Sequence, residues 1–273
     1  MAFREALQKI VTPKDVVVDL GAGTGLLSFF AVQAGARHVY AIEMGNIAEV
    51  AAELIYANGL QDRITLIRNS SKRVTLPERG DVLVSETLSS MGFDTENTID
   101  FMADARIRLV KEDARIIPET CKTFLAPSSS DAFGLGHLTA CFYGLDFQPF
   151  RRRRFARPFK LQVCGKPLKI LAPPMCCFQV DFRTDSRVPG PAVVSFPVRE
   201  EGRLDGFLGW FEARLCDGVT ISNSPFGPPM HWDQIYFPCI EQPLVHAGES
   251  ISLRLDPNMS AGEANWLYRV SVE

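Results

Sequence analysis

A glycine-rich run directly after an apolar segment constrains the fold of this chain more than any other feature. Residues 19–25 read Asp-Leu-Gly-Ala-Gly-Thr-Gly, and they overlap the end of Val16–Leu20, a β-branched run typical of a buried strand. The next segment, Leu26–Ala34, is predicted to be a helix that Gly35 ends. A chain that passes from strand to helix through three glycines bends sharply and approaches a ligand closely, because glycine accepts positive φ angles and has no Cβ. The run therefore predicts the first strand, turn and helix of a nucleotide-binding α/β fold.

The rest of the chain up to Pro118 alternates short apolar runs with longer amphipathic ones. The pattern predicts a strand over His38–Glu43, a helix over Ile47–Asn58, strands over Ile64–Arg68 and Asp81–Ser85, and a helix over Thr98–Val110. This order is typical of a doubly wound, Rossmann-like parallel sheet. We therefore predict an α/β domain over residues 1–118.

Beyond Pro118 the pattern changes to strands separated by Pro- and Gly-rich turns, without a helical period. The strand-like segments are Phe159–Val163, Cys177–Phe182, Ala192–Phe196, Phe207–Arg214, Ile251–Leu255 and Trp266–Val272. This predicts an antiparallel β-barrel or sandwich domain over residues 119–273.

Composition argues against several classes of protein. A net charge of −3 gives no overall field for nucleic acid, and the single basic run, at residues 151–154, is interpreted as a solvated loop that contacts a partner. Nucleic acid is therefore a weaker alternative than a protein as the binding partner of this run. The absence of a signal peptide and of a membrane-length apolar stretch predicts a cytoplasmic protein. The seven cysteines form no Cys-x-x-Cys pair, so no metal site is predicted.

The spacing of the glycines favours one cofactor over another. A dinucleotide pattern requires glycine where this chain has Leu26, whereas Gly-x-Gly-x-Gly is the variant of S-adenosyl-L-methionine-dependent methyltransferases. Glu43 ends the second predicted strand 18 residues after Gly25, where an acid accepts hydrogen bonds from ribose hydroxyls. The alternative is a tight turn beside a solvated strand-end charge. The residues expected to bind the cofactor at this turn and at the end of the second strand are Asp19, Gly21, Gly23, Thr24, Gly25, Glu43 and Met44.

Two glutamates follow the strand predicted over Asp81–Ser85. Glu86 comes directly after it and Glu96 stands near the start of the next helix. Ligands bind beyond the carboxyl ends of strands in such sheets, and two carboxylates there clamp a cation, bidentately if it is a guanidinium. The alternative for Glu96 is stabilisation of the helix N-terminus.

This pair resembles the double-glutamate loop of the protein arginine methyltransferases. The family's loop begins Ser-Glu, as Ser85-Glu86 does, and its second glutamate opens a helix with an Ala-Arg pair, matched by Ala105-Arg106. The interval from Glu86 to Glu96 is one residue longer than is usual in the family, so the loop is an altered version.

Other segments resemble the same family. Met230-His231-Trp232 is similar to its Thr-His-Trp loop, with Met230 in place of Thr, and Tyr143–Asp146 is similar to the start of its dimerisation arm, which would span residues 143–172. Ser71 stands where the family has an acid for the adenine amino group, so the resemblance implies that Ser71 belongs to the cofactor site and that the backbone makes this contact or the contact is absent. The family's N-terminal helical lid is expected to be absent, since the first predicted strand begins at residue 16.

The resemblance implies an N-methyltransferase that acts on arginine of a protein or peptide, as a homodimer. It implies catalytic roles for Glu86, Glu96 and His231 and substrate contacts for Ser85 and Trp232. Two alternatives stay open: a methyltransferase for a small molecule or another amino group, and an inactive scaffold subunit.

Overall fold

The computed structural model describes residues 1–94, 97–130, 141–163, 167–260 and 263–273. The first half of the chain forms α1 (Ala2–Ile10), β1 (Val16–Leu20), α2 (Leu26–Gln33), β2 (His38–Glu43), α3 (Ala48–Ala57), β3 (Ile64–Arg68), β4 (Gly80–Val84), α4 (Thr98–Arg108) and β5 (Val110–Ile117). A short 3₁₀ turn, Ser71–Arg73, lies between β3 and β4.

These five strands form one parallel sheet in the order β3-β2-β1-β4-β5. All five residues of β1 are buried, because this strand lies at the centre of the sheet. The chain builds outward from β1 to β3 on one side and then continues with β4 on the other. A crevice therefore forms at the carboxyl ends of β1 and β4, where the strand order reverses. The predicted Rossmann-like sheet is confirmed.

The second half of the chain is mostly antiparallel. It contains β6 (Thr120–Ser129), β7 (Cys141–Phe142), β8 (Leu145–Asp146), α5 (Gln148–Arg154), β9 (Phe159–Leu161), β10 (Lys169–Ile170), β11 (Met175–Asp181), β12 (Ala192–Pro197), β13 (Gly202–Arg203), β14 (Gly206–Cys216), β15 (Val219–Ser222), β16 (Gln234–Pro238), β17 (Leu244–Val245), β18 (Ser250–Ser260) and β19 (Glu263–Val272). The largest sheet runs β10-β6-β14-β16-β9, with β11 beside β6 and β15 beside β14, and a second sheet runs β12-β18-β19.

Several elements differ from the prediction. The helix predicted over Thr98–Val110 ends at Arg108, and β5 was missed because its first half is exposed and carries the charged run Lys111–Asp113. The segment after Pro118 does contain a helix, α5; its arginines leave it without an apolar stripe, so it has no periodic signal. The N-terminal residues form α1, which buries Phe3, Ala6 and Leu7 at helical spacing.

One apolar core joins the two sheets. Phe93, from the connection between β4 and α4, packs edge-on against Phe178 of β11 and Trp266 of β19, with ring centroids 5.8 and 6.3 Å apart. This connection therefore lies between the parallel sheet and the antiparallel one. The predicted division at residue 118 falls between β5 and β6, and it stays a prediction.

Among the described residues, no helix is both long and apolar enough to cross a bilayer.

Candidate active site

The glycine turn after β1 depends on backbone angles that other residues rarely adopt. Gly21, Gly23 and Gly25 have φ angles of +74°, +56° and +86°. The amides of Gly21 and Ala22 both donate to the carbonyl of Ile42, at 2.9 and 3.0 Å. The turn is thereby tied to the end of β2.

Glu43, the last residue of β2, closes the turn from the other side. Its Oε2 accepts a hydrogen bond from the Gly23 amide at 2.9 Å, and its Oε1 accepts one from the Gly45 amide at 2.6 Å. Each carboxylate oxygen has a second acceptor position, so Glu43 keeps the capacity to bind further donors. The two features singled out in the sequence, the glycines and the acid, therefore contact each other directly.

Asp19 lies beneath the turn and is fully buried. Its Oδ2 accepts a hydrogen bond from Ser28 Oγ at 2.6 Å, whereas its Oδ1 has no hydrogen-bond partner among the described residues. Burial raises the pKa of Asp19 to about 6. A buried carboxylate with an unsatisfied oxygen destabilises the folded state at neutral pH.

We expect an Asp19→Asn substitution to reveal the destabilisation by this buried carboxylate, because the difference in stability from wild type should depend on pH. The pKa of Asp19 is raised in the folded state, so folding is accompanied by proton uptake between the unfolded and the folded pKa. The free energy of unfolding of the wild type therefore falls as pH rises from about 4 to 6. The stability of Asp19→Asn relative to wild type should rise over that range by about 3 kcal/mol and then level off. Urea unfolding of the ligand-free protein at a series of pH values measures it, with Asp217→Asn, at an exposed site, as the control. A difference that is constant with pH would contradict the assignment.

A cavity of about 580 Å³ opens at the carboxyl edge of the parallel sheet. Its wall is formed by the ends of β1 and β2, the glycine turn, the residues that follow β2, β3 and β4, and Phe101 of α4. The lining residues are Leu20, Gly21, Ile42, Glu43, Met44, Gly45, Asn69, Ser71, Glu86, Thr87 and Phe101. Gly21, Glu43, Met44, Ser71 and Glu86, all singled out in the sequence, thus share one cavity. Thr24 is exposed on the turn.

The residues around Glu86 are held by short-range hydrogen bonds. Ser85 is buried, and its hydroxyl donates to the carbonyl of Leu20 at 2.7 Å, which ties the end of β4 to the end of β1. Thr98, the first residue of α4, donates its hydroxyl to the carbonyl of Thr87 at 2.9 Å. Glu86 therefore extends from a segment anchored on both sides. Its predicted partner, Glu96, lies outside the described residues, and substrate contact by Ser85 stays a prediction.

Asp94 organises the middle of the connection between β4 and α4, and sequence reasoning missed it. Its Oδ1 accepts hydrogen bonds from the Ser89 hydroxyl and, at 3.0 Å, from the Met91 amide. Its Oδ2 lies 3.4 Å from the indole nitrogen of Trp266 in β19. This buried aspartate therefore links the connection to the antiparallel sheet, and nothing in its local sequence signals such a long-range contact.

The His231–Trp232 segment contacts the same connection from the antiparallel side. The indole nitrogen of Trp232 donates to the carbonyl of Leu88 at 2.9 Å, two residues from Glu86. The Trp232 ring packs edge-on against Phe211. The His231 ring lies over the Trp232 ring, with 3.7 Å between the two centroids. His231 itself is exposed. The tertiary structure thus brings the second predicted motif beside the first.

Two family models match the chain in succession. Residues 4–118 match the model described as ribosomal protein L11 methyltransferase (PrmA). Residues 139–268 match the arginine methyltransferase oligomerization subdomain.

Curated relatives extend over most of this chain. The probable histone-arginine methyltransferase CARM1 of Oryza sativa subsp. indica is 34% identical over 93% of this chain and 51% of its own length. The arginine N(omega)-methyltransferase of Streptomyces achromogenes subsp. streptozoticus is 29% identical over 99% of this chain and 74% of its own length. The chain therefore spans about half the length of the plant relative.

Solved structures share the fold. The Trypanosoma brucei PRMT1 enzyme-prozyme heterotetrameric complex with AdoHcy matches with a TM-score of 0.84 at 21% identity, over 99% of this chain and 93% of the other. Arabidopsis thaliana protein arginine methyltransferase 10 matches with a TM-score of 0.78 at 22% identity, over the same shares. The chain is thus similar to arginine methyltransferases over most of its length in the curated relatives, and it shares the fold of the solved protein arginine methyltransferase structures.

Proposed function

We propose that this chain is an S-adenosyl-L-methionine-dependent N-methyltransferase that acts on the guanidinium of arginine in a protein or peptide. One observation carries the proposal: Glu86, an acid suited to hold a guanidinium, lines the same cavity as Gly21 and Glu43, which suit a nucleoside. The names of the relatives from rice and Streptomyces, both arginine methyltransferases, support it.

The cavity has the properties that the cofactor requires. Its volume of about 580 Å³ lies within the usual range of ligand sites. Gly21 presents no Cβ, so backbone and ligand can approach closely, and Glu43 retains acceptor positions for two ribose hydroxyls. When bound, S-adenosyl-L-methionine supplies an electrophilic methyl group. We assign its binding to Asp19, Gly21, Gly23, Thr24, Gly25, Glu43, Met44 and Ser71.

The protein's part in the reaction is to hold and polarise the guanidinium. A free guanidinium is a weak nucleophile because its lone pairs are delocalised and its pKa exceeds about 12. Glu86, with Glu96, accepts hydrogen bonds from two of its nitrogens, concentrates the positive charge there and leaves the third nitrogen aimed at the methyl donor. We assign His231 to the wall of the site, where it can accept the proton that the guanidinium loses late in the reaction. Trp232 is assigned to the wall beside His231.

We further propose that the protein forms a homodimer through its arm. The arm carries exposed apolar side chains at Tyr143, Leu145 and Phe150, and the outer face of α2 and α3 carries a second exposed apolar set. The second set consists of Leu26, Ile47, Val50, Leu54 and Tyr56. Burial of one set against the other in a second copy would remove both from water. The match of residues 139–268 to an oligomerization subdomain supports this arrangement. A cytoplasmic location stays a prediction.

A second candidate is methylation of a small molecule, including free arginine. The Streptomyces relative is named for arginine itself, and this chain covers 74% of it. The altered spacing of the double-glutamate loop is compatible with such an acceptor.

Two measurements test the function. We expect S-adenosyl-L-methionine at about 100 times its Kd to stabilise the protein by about 2.7 kcal/mol in thermal unfolding, because it binds only the folded state. Incubation with labelled cofactor, an arginine-rich peptide panel and free arginine, followed by product analysis, should yield methylarginine in a peptide. Methylation of free arginine alone would favour the second candidate. Absence of both stabilisation and transfer would leave the inactive scaffold.

A further inference from the structure

Asn223 is a buried side chain that joins the two segments of the site. It is the first residue after β15, in the connection to β16 that carries His231 and Trp232, and it is 1% exposed. Its Oδ1 accepts a hydrogen bond from the Phe211 amide of β14 at 2.7 Å. Its Nδ2 donates to the carbonyl of Asp233 at 2.8 Å and to the carbonyl of Ser90 at 3.0 Å.

These partners define the orientation of the amide. The Phe211 amide is a donor, so the side-chain oxygen must face it, and the two carbonyls are acceptors, so the nitrogen must face them. Both N–H groups of Asn223 are therefore used. One closes the base of the connection at Asp233, and the other crosses to the connection between β4 and α4 at Ser90. An Asp side chain of the same shape would place an oxygen against two carbonyl oxygens.

A second hydrogen bond joins the same two connections. Trp232 donates to the carbonyl of Leu88, so the two connections are joined at Leu88 and at Ser90. Gln234 supports the backbone of Asn223, because its Nε2 donates to the Asn223 carbonyl at 2.7 Å. Two links, whose acceptors Leu88 and Ser90 are two positions apart, fix both the distance and the register between the connections, whereas one link would permit rotation.

We propose that Asn223 is a positioning residue, which holds the Glu86-bearing connection in register against the His231–Trp232 segment. The proposal rests on the proposed function, since it assigns these two segments to one acceptor site. Asn223 acts through its neighbours and has no contact with the cavity. Its effect is expected on turnover, because a displacement of about 1 Å in a catalytic group can cost about 100-fold in rate.

The test compares Asn223→Asp with Trp232→Phe, which removes only the second link, and with Ser128→Ala as the control. Ser128 is also buried in the antiparallel sheet, and its hydroxyl donates to the carbonyl of Gly206. Hydrogen–deuterium exchange is measured well below the Tm of each variant. We expect amides of residues 88–94 and 230–234 to exchange at least about 10-fold faster in the first two variants, and kcat for the arginine peptide to fall about 10- to 100-fold in Asn223→Asp. The Kd of Asn223→Asp for S-adenosyl-L-methionine should stay within about twofold of the wild-type value. The control, Ser128→Ala, should match wild type in exchange, kcat and Kd.

The exchange readout does not depend on methylation. Wild-type exchange of residues 88–94 in both linked variants would overturn the inference, whatever the enzyme methylates. A uniform rise in exchange along the chain, in proportion to a lowered Tm, would also overturn it, because that is the result of a merely structural role. A local rise, with no methyl transfer to arginine by the wild type, would support the link and reject the proposed function instead.

Discussion

In a Glu86→Gln variant, we expect turnover with an arginine peptide to fall by at least about 100-fold, while the Kd for S-adenosyl-L-methionine changes less than about threefold. Glutamine has nearly the same shape as glutamate, so the cavity keeps its volume. It lacks the negative charge that holds the guanidinium and draws its positive charge away from the reacting nitrogen. The loss should therefore appear in kcat at saturating cofactor, measured with labelled S-adenosyl-L-methionine.

Glu43→Gln is the matched comparison, because it removes a carboxylate from the same cavity. Glu43 accepts backbone hydrogen bonds from Gly23 and Gly45 within the glycine turn. Its replacement should raise the Kd for the cofactor and leave kcat at saturation largely unchanged. A Glu86→Gln enzyme with a wild-type kcat would remove this carboxylate from the reaction.

A Gly21→Val variant should lose at least about 100-fold in affinity for S-adenosyl-L-methionine, which corresponds to about 2.7 kcal/mol. A β-branched side chain is strained at the φ of +74° that Gly21 adopts, and a Cβ there would lie only 2.9 Å from Thr87 Cγ2. The turn or the Thr87 side chain must therefore shift, and a shift of the turn disturbs its hydrogen bond to Ile42. Titration calorimetry measures the affinity, and urea unfolding should show a loss of about 2–4 kcal/mol in the ligand-free protein.

Gly59→Val separates backbone strain from the effect on the site. Gly59 follows α3 with a φ of +63°, and no atom lies within 4 Å of the position that a Cβ would take. We expect this variant to lose about 1–3 kcal/mol of stability through strain and to bind the cofactor as wild type does. Unaltered cofactor affinity in Gly21→Val would place the nucleoside away from the glycine turn.

The fold was predictable where a local pattern coincides with burial. The runs His38–Glu43 and Ile64–Arg68 are strands with the predicted bounds, because each is a short apolar segment bordered by turn residues. Strand β6 was missed although it lies between β11 and β14, since Lys122 and Pro127 interrupt its apolar pattern. Its strand conformation depends on its neighbours in the sheet, and a sequence pattern does not contain them.

The two halves of the candidate site differ in the same way. The glycines and Glu43 are joined by a hydrogen bond at 2.9 Å, and their spacing along one βαβ unit was sufficient to predict them together. Glu86 and Trp232 are far apart in the sequence, and only the family resemblance suggested that they share a site.

The parallel sheet, the glycine turn and the acid beside it were predictable from the sequence, because each depends on contacts between neighbouring elements of the chain. How the two motif-bearing connections meet is visible only in the folded protein. That junction depends on Asp94 against Trp266 and on Asn223 against Ser90, pairs separated by more than 130 positions. Hydrogen bonds of this kind leave no periodic signal in a sequence, since each satisfies a buried polar group only after the two sheets have packed together.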